Sequence, residues 1–425
     1  MIAANAAYAR ATDLHKQRIL GAFFLAVGLG ILFAFTQDTG PGQLSTLGLN
    51  TVHSAQLVRL PDIVLPTQLV AWILGTAVIL AGAWQWWRGF RSTGAWIGIV
   101  SAAFVCSFLI WAARGTSFSL IGILTASLQL ATPILLGALS GILCERAGVV
   151  NIAIEGMMLM AAFTSVIVAN MTGSIWLGLL AALLSGALLA AWHGFLSINL
   201  KVNQIISGTV INIFATGLTS FLNQRVLQVY QELNREQTFP VISNVVPELG
   251  QIPIVGPLFF DQGPFVWLGI ILLVMVNVAL FQTRWGLRAR AVGEHPRAAD
   301  TLGINVYRVR YVNVILGGML AALGGAYFTL GSVGRFDKLM TGGRGFISLA
   351  AMIFGNWTPV GAFASSLIFG FADALQVKLQ ILINQVSIPS EFLLMLPYVV
   401  TMVVLAGVVG KATPPAADGE PYEKQ

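Results

Sequence analysis

Between Leu120 and Leu200 the chain is almost continuously apolar for about 80 residues, enough for three to four membrane crossings of about 20 residues each. Only 9% of all residues are charged, against about 25% in a soluble domain, so such a chain cannot cover a water-facing surface. The expected fold is therefore all-α: a polytopic membrane bundle of about 10–12 crossings, broken or half-helices included. The net charge of +6 sits mainly in short loops between spans, which reads as membrane topology rather than nucleic-acid binding. Cys106 and Cys144 lie in or beside apolar runs without metal-ligand spacing and read as packing residues.

Ile19 to Gln37 is an uncharged run behind a polar head, residues 1–18; it is too long for a signal-peptide core and lacks a cleavage site, so it reads as a first span with its N-terminus inside. Asp38 to Pro66 reads as an outer loop. Leu69 to Trp87 returns to a basic and aromatic anchor formed by Trp86, Trp87, Arg88 and Arg91, and Ala95 to Ala113 crosses again. Further spans are expected at Ile205–Leu222, Phe265–Phe281, Tyr311–Leu330, Val360–Ala374 and Phe392–Val409. Phe346–Gly355, flanked by Gly342-Gly343-Arg344-Gly345 and Asn356-Trp357-Thr358-Pro359, would reach about 15 Å against a hydrocarbon core of about 30 Å, so it reads as a half-helix. Gly317, Ala321 and Gly325 recur every four residues, a small-residue face for close helix packing. The chain thus divides into an N-terminal extension, 1–92, with two spans and an outer loop, a core, 93–410, and a tail, 411–425, expected to be disordered and cytoplasmic.

Gln282 to Arg310 holds six arginines (Arg284, Arg288, Arg290, Arg297, Arg308 and Arg310) against Glu294 and Asp300. A loop this basic between two spans is expected to stay in the cytoplasm. At its centre, His295 to Gly303 reads as a short helix, with Pro296 near its start and Gly303 as its stop. A short helix tied to two spans at the membrane face is shaped to touch another protein.

Enzymatic signatures are absent. No Gly-x-x-x-x-Gly-Lys-Ser/Thr loop is present, so the chain is not expected to hydrolyse ATP by itself. His15, His53, His193 and His295 are scattered, without a metal cluster or a nucleophile and base. Spans, a polar break and a docking loop make a transporter's inventory.

Leu139 to Leu159, carrying Glu145-Arg146-Ala-Gly148-Val-Val-Asn151-Ile-Ala-Ile-Glu155-Gly156, resembles the signature of bacterial ABC importer permeases for nucleosides and simple sugars. These belong to the branched-chain amino acid/ribose permease superfamily. Ala291 to Ile304 resembles that family's coupling segment, although Arg297 stands where the general importer loop has Glu. The resemblance covers roughly residues 119–410. It implies a permease in the bacterial cytoplasmic membrane, both termini inside, which forms the solute path and receives the ATPase stroke through a coupling helix. The coupling residues it implies are Arg290, Gly293, Glu294, His295, Pro296, Arg297, Ala298, Ala299, Asp300 and Gly303. Implied partners are an ATP-binding subunit, often of two fused domains, a second homologous permease and an extracytoplasmic solute-binding protein or lipoprotein; ATP and Mg would be used by the partner, and this chain would bind no cofactor or metal. Nucleosides lead as substrate. A simple-sugar permease is one alternative, and a self-contained ion-coupled carrier another; the latter would predict several buried acids and an inverted repeat.

Asn151, Glu155 and Asn212 are the candidates for lining the path. An acid in an apolar segment must be paired or hydrated, so Glu155 either faces the solute with Asn151, four residues away, or pairs with Arg146 or with backbone donors near Gly148. Asn212 could bind a solute hydroxyl or tie two helices together. The half-helix could aim its terminus at solute.

Overall fold

The computed structural model describes residues 2–37, 39–40, 42–50, 59–115, 117–244, 246–382, 395 and 412–424. The expected span Phe392–Val409 therefore lies, Met395 apart, outside the described residues. The chain forms two compact units, residues 1–123 with 376–410 and residues 124–375 with 411–425.

The first unit holds α1 (Ile2–Thr36), α2 (Thr67–Trp87) and α3 (Thr93–Ala112). This unit runs past residue 92 and takes in a third span. Glycines let α1 and α2 approach closely: a Cβ on Gly21 would meet the Trp86 backbone, and one on Gly82 the Leu25 backbone. The all-α expectation also misses a small sheet. β1 (Leu44–Gly48) pairs antiparallel with β2 (Ile63–Pro66) and parallel with β3 (Ser117–Ser119). Short alternation between turn residues is a weak signal, and only pairing with Ser117–Ser119, far along the chain, completes this sheet.

In the second unit α4 (Leu120–Glu145), whose first turn belongs to the first unit, is followed by α5 (Ile154–Thr172), α6 (Ile175–Gly194) and α7 (Gln204–Leu222). After the single turn α8 (Pro247–Gly250) come α9 (Pro264–Gln282), α10 (Arg284–Glu294), α11 (Pro296–Thr301), α12 (Val306–Ala326), α13 (Arg344–Phe354) and α14 (Pro359–Leu382), whose residues from Gln376 onward belong to the first unit. Among the described residues, ten helices are long and apolar enough to cross a membrane, in line with the expected bundle. The centre is α12, because glycine removes side chains on several of its faces. Gly317 lies against Cys144 and Ser140 of α4, Gly318 against Gly186 of α6, and Gly325 against Met158 of α5. Ala321 is wholly buried between them. At 11 residues α13 spans only about 16 Å, so it is a half-helix.

The tail departs from expectation. Residues 412–424 are not a disordered chain: Ala417 and Tyr422 are buried, 4% and 5% exposed. A composition of Pro, Ala and charge predicts little burial. Here one tyrosine ring and a series of backbone hydrogen bonds to the basic segment hold it instead.

Candidate functional site

α4 stops at Glu145 and α5 starts at Ile154; residues 146–149 turn back on the end of α4 through backbone hydrogen bonds, and residues 150–153 run on without helical ones. Gly148 turns the chain with φ +79°, and a Cβ there would crowd the Arg310 guanidinium and the Ala417 carbonyl. Side chains satisfy the freed backbone groups. The Val150 N–H donates to Gln204 Oε1 at 2.7 Å. His193 Nε2 lies 2.9 Å from the Val150 carbonyl and so carries the hydrogen, which leaves Nδ1 to accept from the Ser207 hydroxyl at 3.0 Å. The Asn212 amide spans the start of α5: its oxygen accepts from Gly156 N–H at 2.7 Å and its nitrogen donates to the Ile152 carbonyl at 2.8 Å. Asn151 Oδ1 accepts from Ala153 N–H at 3.1 Å.

These contacts correct two of the path candidates. Asn151 precedes α5, so it shares no helical face with Glu155, and it is fully buried. Asn212, 7% exposed, uses both ends of its amide on the break. Both residues brace backbone at the start of α5.

Glu155, half-buried, does something else. Its carboxylate accepts from the Thr341 hydroxyl at 2.6 Å, from Gly343 N–H at 2.9 Å and from Gly345 N–H at 2.7 Å. Those are the free donors at the N-terminus of α13, where the helix dipole also favours an anion. Gly345 is required, since a Cβ would meet the Glu155 backbone. The terminus of the half-helix is thus filled by this chain's own carboxylate. Neither expected partner of Glu155 is used. Arg146 works at the other end of α13, donating from Nε to the Trp357 carbonyl at 3.0 Å and from Nη2 to Asn356 at 3.3 Å. Trp357 Nε1 in turn donates to Glu145 Oε2 at 2.6 Å. One polar break therefore holds both ends of the half-helix. Beside it, Arg344 pairs with Asp373 of α14 at 3.2 Å, and its guanidinium lies 5.8 Å from the Phe328 ring centre.

The basic segment sits directly on the break. It folds as α10 and α11, bridged by His295, with Gly303 at φ +81° closing α11 as expected. Gly293 is pressed against the turn at residues 146–148: a Cβ would collide with the Arg146 carbonyl. Arg290 lies over the Phe281 ring at 5.0 Å, with Arg146 on the same ring at 5.8 Å. Ala298 is exposed, whereas Ala299 is buried with Val292, Val306 and Tyr422. Glu294, His295 and Arg297 are exposed, Pro296 and Asp300 partly so, and Leu302 is 82% exposed. The break's partners His193, Gln204, Thr341 and Trp357 carried no local motif, and nothing short of the fold brings them there.

Ten apolar spans among the described residues, a half-helix clamped at both ends and a basic segment resting on the clamp are the features of a membrane permease. The chain belongs to the family described as the branched-chain amino acid transport system / permease component, whose model matches residues 123–405. It is a transport component and not an enzyme. It is similar to the guanosine ABC transporter permease protein NupQ of Bacillus subtilis, 40% identical over 310 residues that cover 71% of this chain and 96% of that one. With the nucleoside ABC transporter permease protein NupC of Lactococcus lactis subsp. cremoris it shares 44% identity over 300 residues, 69% of this chain and 94% of that one. The putative glucose ABC transporter permease protein TsgC13 of Haloferax volcanii is 38% identical over 259 residues, 61% and 78% of the two chains. No solved structure matches the chain.

Proposed function

We propose that this chain is the permease subunit of an ATP-driven importer of nucleosides, with α10 and α11 as its coupling element. The observation that carries the reading is the seat of Gly293 on the turn after Arg146. Through it, a push on the basic segment reaches the break, and through Arg146, Glu145 and Glu155 it reaches both ends of the half-helix. A change in the tilt of α13 would then open or close the solute path. The exposed face of the segment, with Arg288, Arg297, Ala298 and Leu302, is what the ATP-binding subunit meets. That partner binds ATP and Mg, so this chain needs no cofactor of its own. A second homologous permease completes the pore, and an extracytoplasmic binding protein or lipoprotein delivers solute. The arginine excess of the basic segment supports a cytoplasmic position for α10 and α11, and in this reading both termini lie on that side of the bacterial inner membrane.

Two relatives named for guanosine and nucleosides match longer stretches of the chain than the one named for glucose, which favours nucleosides over simple sugars. The test is uptake of labelled guanosine by cells with and without the chain, in competition with other nucleosides, glucose and leucine. The reading expects loss of uptake without the chain and competition by nucleosides only. Competition by glucose alone would assign the chain to sugars.

A further inference from the structure

The tail runs across the coupling element and touches each part of it in turn. The Thr413 N–H donates to Asn356 Oδ1 at 3.0 Å, at the end of α13. The Ala416 N–H donates to Glu294 Oε2 at 3.1 Å, and the Ala417 N–H to the Gly293 carbonyl at 2.9 Å, at the last turn of α10. The partly buried Asp418 carboxyl faces Glu145 at the end of α4. Arg310 of α12 donates to the Glu420 carbonyl at 3.0 Å. The Tyr422 ring packs on Tyr307 with centroids 5.5 Å apart and is buried in one cluster with Ala299 of α11. Lys201, between α6 and α7, closes the path on Glu423 at 2.5 Å.

Eleven residues thus touch six pieces of the unit in one continuous run. Several of these contacts are backbone hydrogen bonds, and the buried Tyr422 supplies the apolar anchor. We infer that residues 413–423 are a strap that makes the coupling element, the end of α4 and the start of α12 move as one body, so that Tyr422 and Asp418 are positioning residues for import. The strap stays closed through the cycle: it carries the stroke and does not gate it. This rests on the reading of α10 and α11 as the element that receives the ATPase stroke. Without the strap, α10 and α11 keep their outward face and the seat of Gly293 but lose the strap's added tie to Asn356, Glu145 and Arg310, so part of a push on them is spent in bending the segment.

The importer reconstituted with its partners in liposomes provides the test, with guanosine moved and ATP hydrolysed measured together. Loss of ATP-driven uptake by the wild type would defeat the functional reading and not the strap. With wild-type uptake intact, Tyr422→Ala and a stop after Ala412 are expected to assemble and hydrolyse ATP while moving several-fold fewer guanosines per ATP. Tyr422→Phe, which keeps the ring, is expected to match the wild type. Lys201→Cys with Glu423→Cys, joined by a short thiol cross-linker in a Cys106→Ser background, is expected to import normally. An unchanged guanosine-to-ATP ratio in Tyr422→Ala and the truncated chain would overturn the inference. So would arrest of import by the cross-link, which would mean that the segment must open.

Discussion

Replacing Glu155 with Gln tests whether its carboxylate holds the half-helix in place. Two carboxylate oxygens currently serve three donors: Thr341 hydroxyl and the N–H groups of Gly343 and Gly345. Glutamine keeps the shape but exchanges one acceptor for an NH2 group, which must then face a donor. A buried donor left without its acceptor costs roughly 1–3 kcal/mol. Removing a negative charge from a partly buried helix N-terminus adds about 1–2 kcal/mol. The sum, roughly 2–5 kcal/mol at about 2 °C per kcal/mol for a large chain, corresponds to a fall in melting temperature of roughly 4–10 °C. The assay is thermal unfolding of the purified protein in mild detergent, with Glu232→Gln on an exposed loop as the control. Uptake should fall with the half-helix set loose. A melting temperature within a degree of wild type would refute the anchoring role and return Glu155 to the solute path.

Gly293→Ala should fold and reach the membrane yet lose most import, because its methyl drives α10 away from the Arg146 carbonyl; uptake normalised to membrane level reads this. Asn212→Leu leaves the Gly156 N–H and the Ile152 carbonyl without partners, so destabilisation of roughly 2–5 kcal/mol is expected in the same melting assay. Ala298→Trp should leave stability unchanged and abolish co-purification of the ATP-binding subunit, whereas Ala299→Trp should lower stability itself, since only Ala298 faces outward. Burial pushes the Asp418 carboxyl up from 3.8 to about 6, so folding favours its protonated form. Its contribution is then full below about pH 4 and is lost as pH rises through about 6. Wild-type protein should lose melting temperature between about pH 4 and 6, and Asp418→Asn should flatten that slope.

How much could be read from the chain itself depended on the distance over which each signal acts. The spans are written in runs of apolar residues, and the half-helix in a run too short to cross between glycines and Asn356-Trp357-Thr358-Pro359. α11 showed through Pro296 and Gly303, because capping is local. Glu155 stood out as an acid among apolar residues, but its partners lie 186 to 190 residues away, and no spacing rule reaches that far. Asn151 was placed on a helical face because the stretch reads as helical, whereas α5 begins only at Ile154. The tail was the largest miss. Its order comes from backbone hydrogen bonds to Gly293 and Glu294 and from one aromatic ring, and composition carries no trace of either.

The most direct measurement is guanosine accumulation in liposomes holding the chain together with its ATP-binding subunit and second permease, with the solute-binding protein on the far side. The account predicts accumulation only when ATP is present on the side where the ATP-binding subunit sits, and none from this chain alone. Accumulation by the chain alone, driven by an ion gradient without ATP, would contradict it.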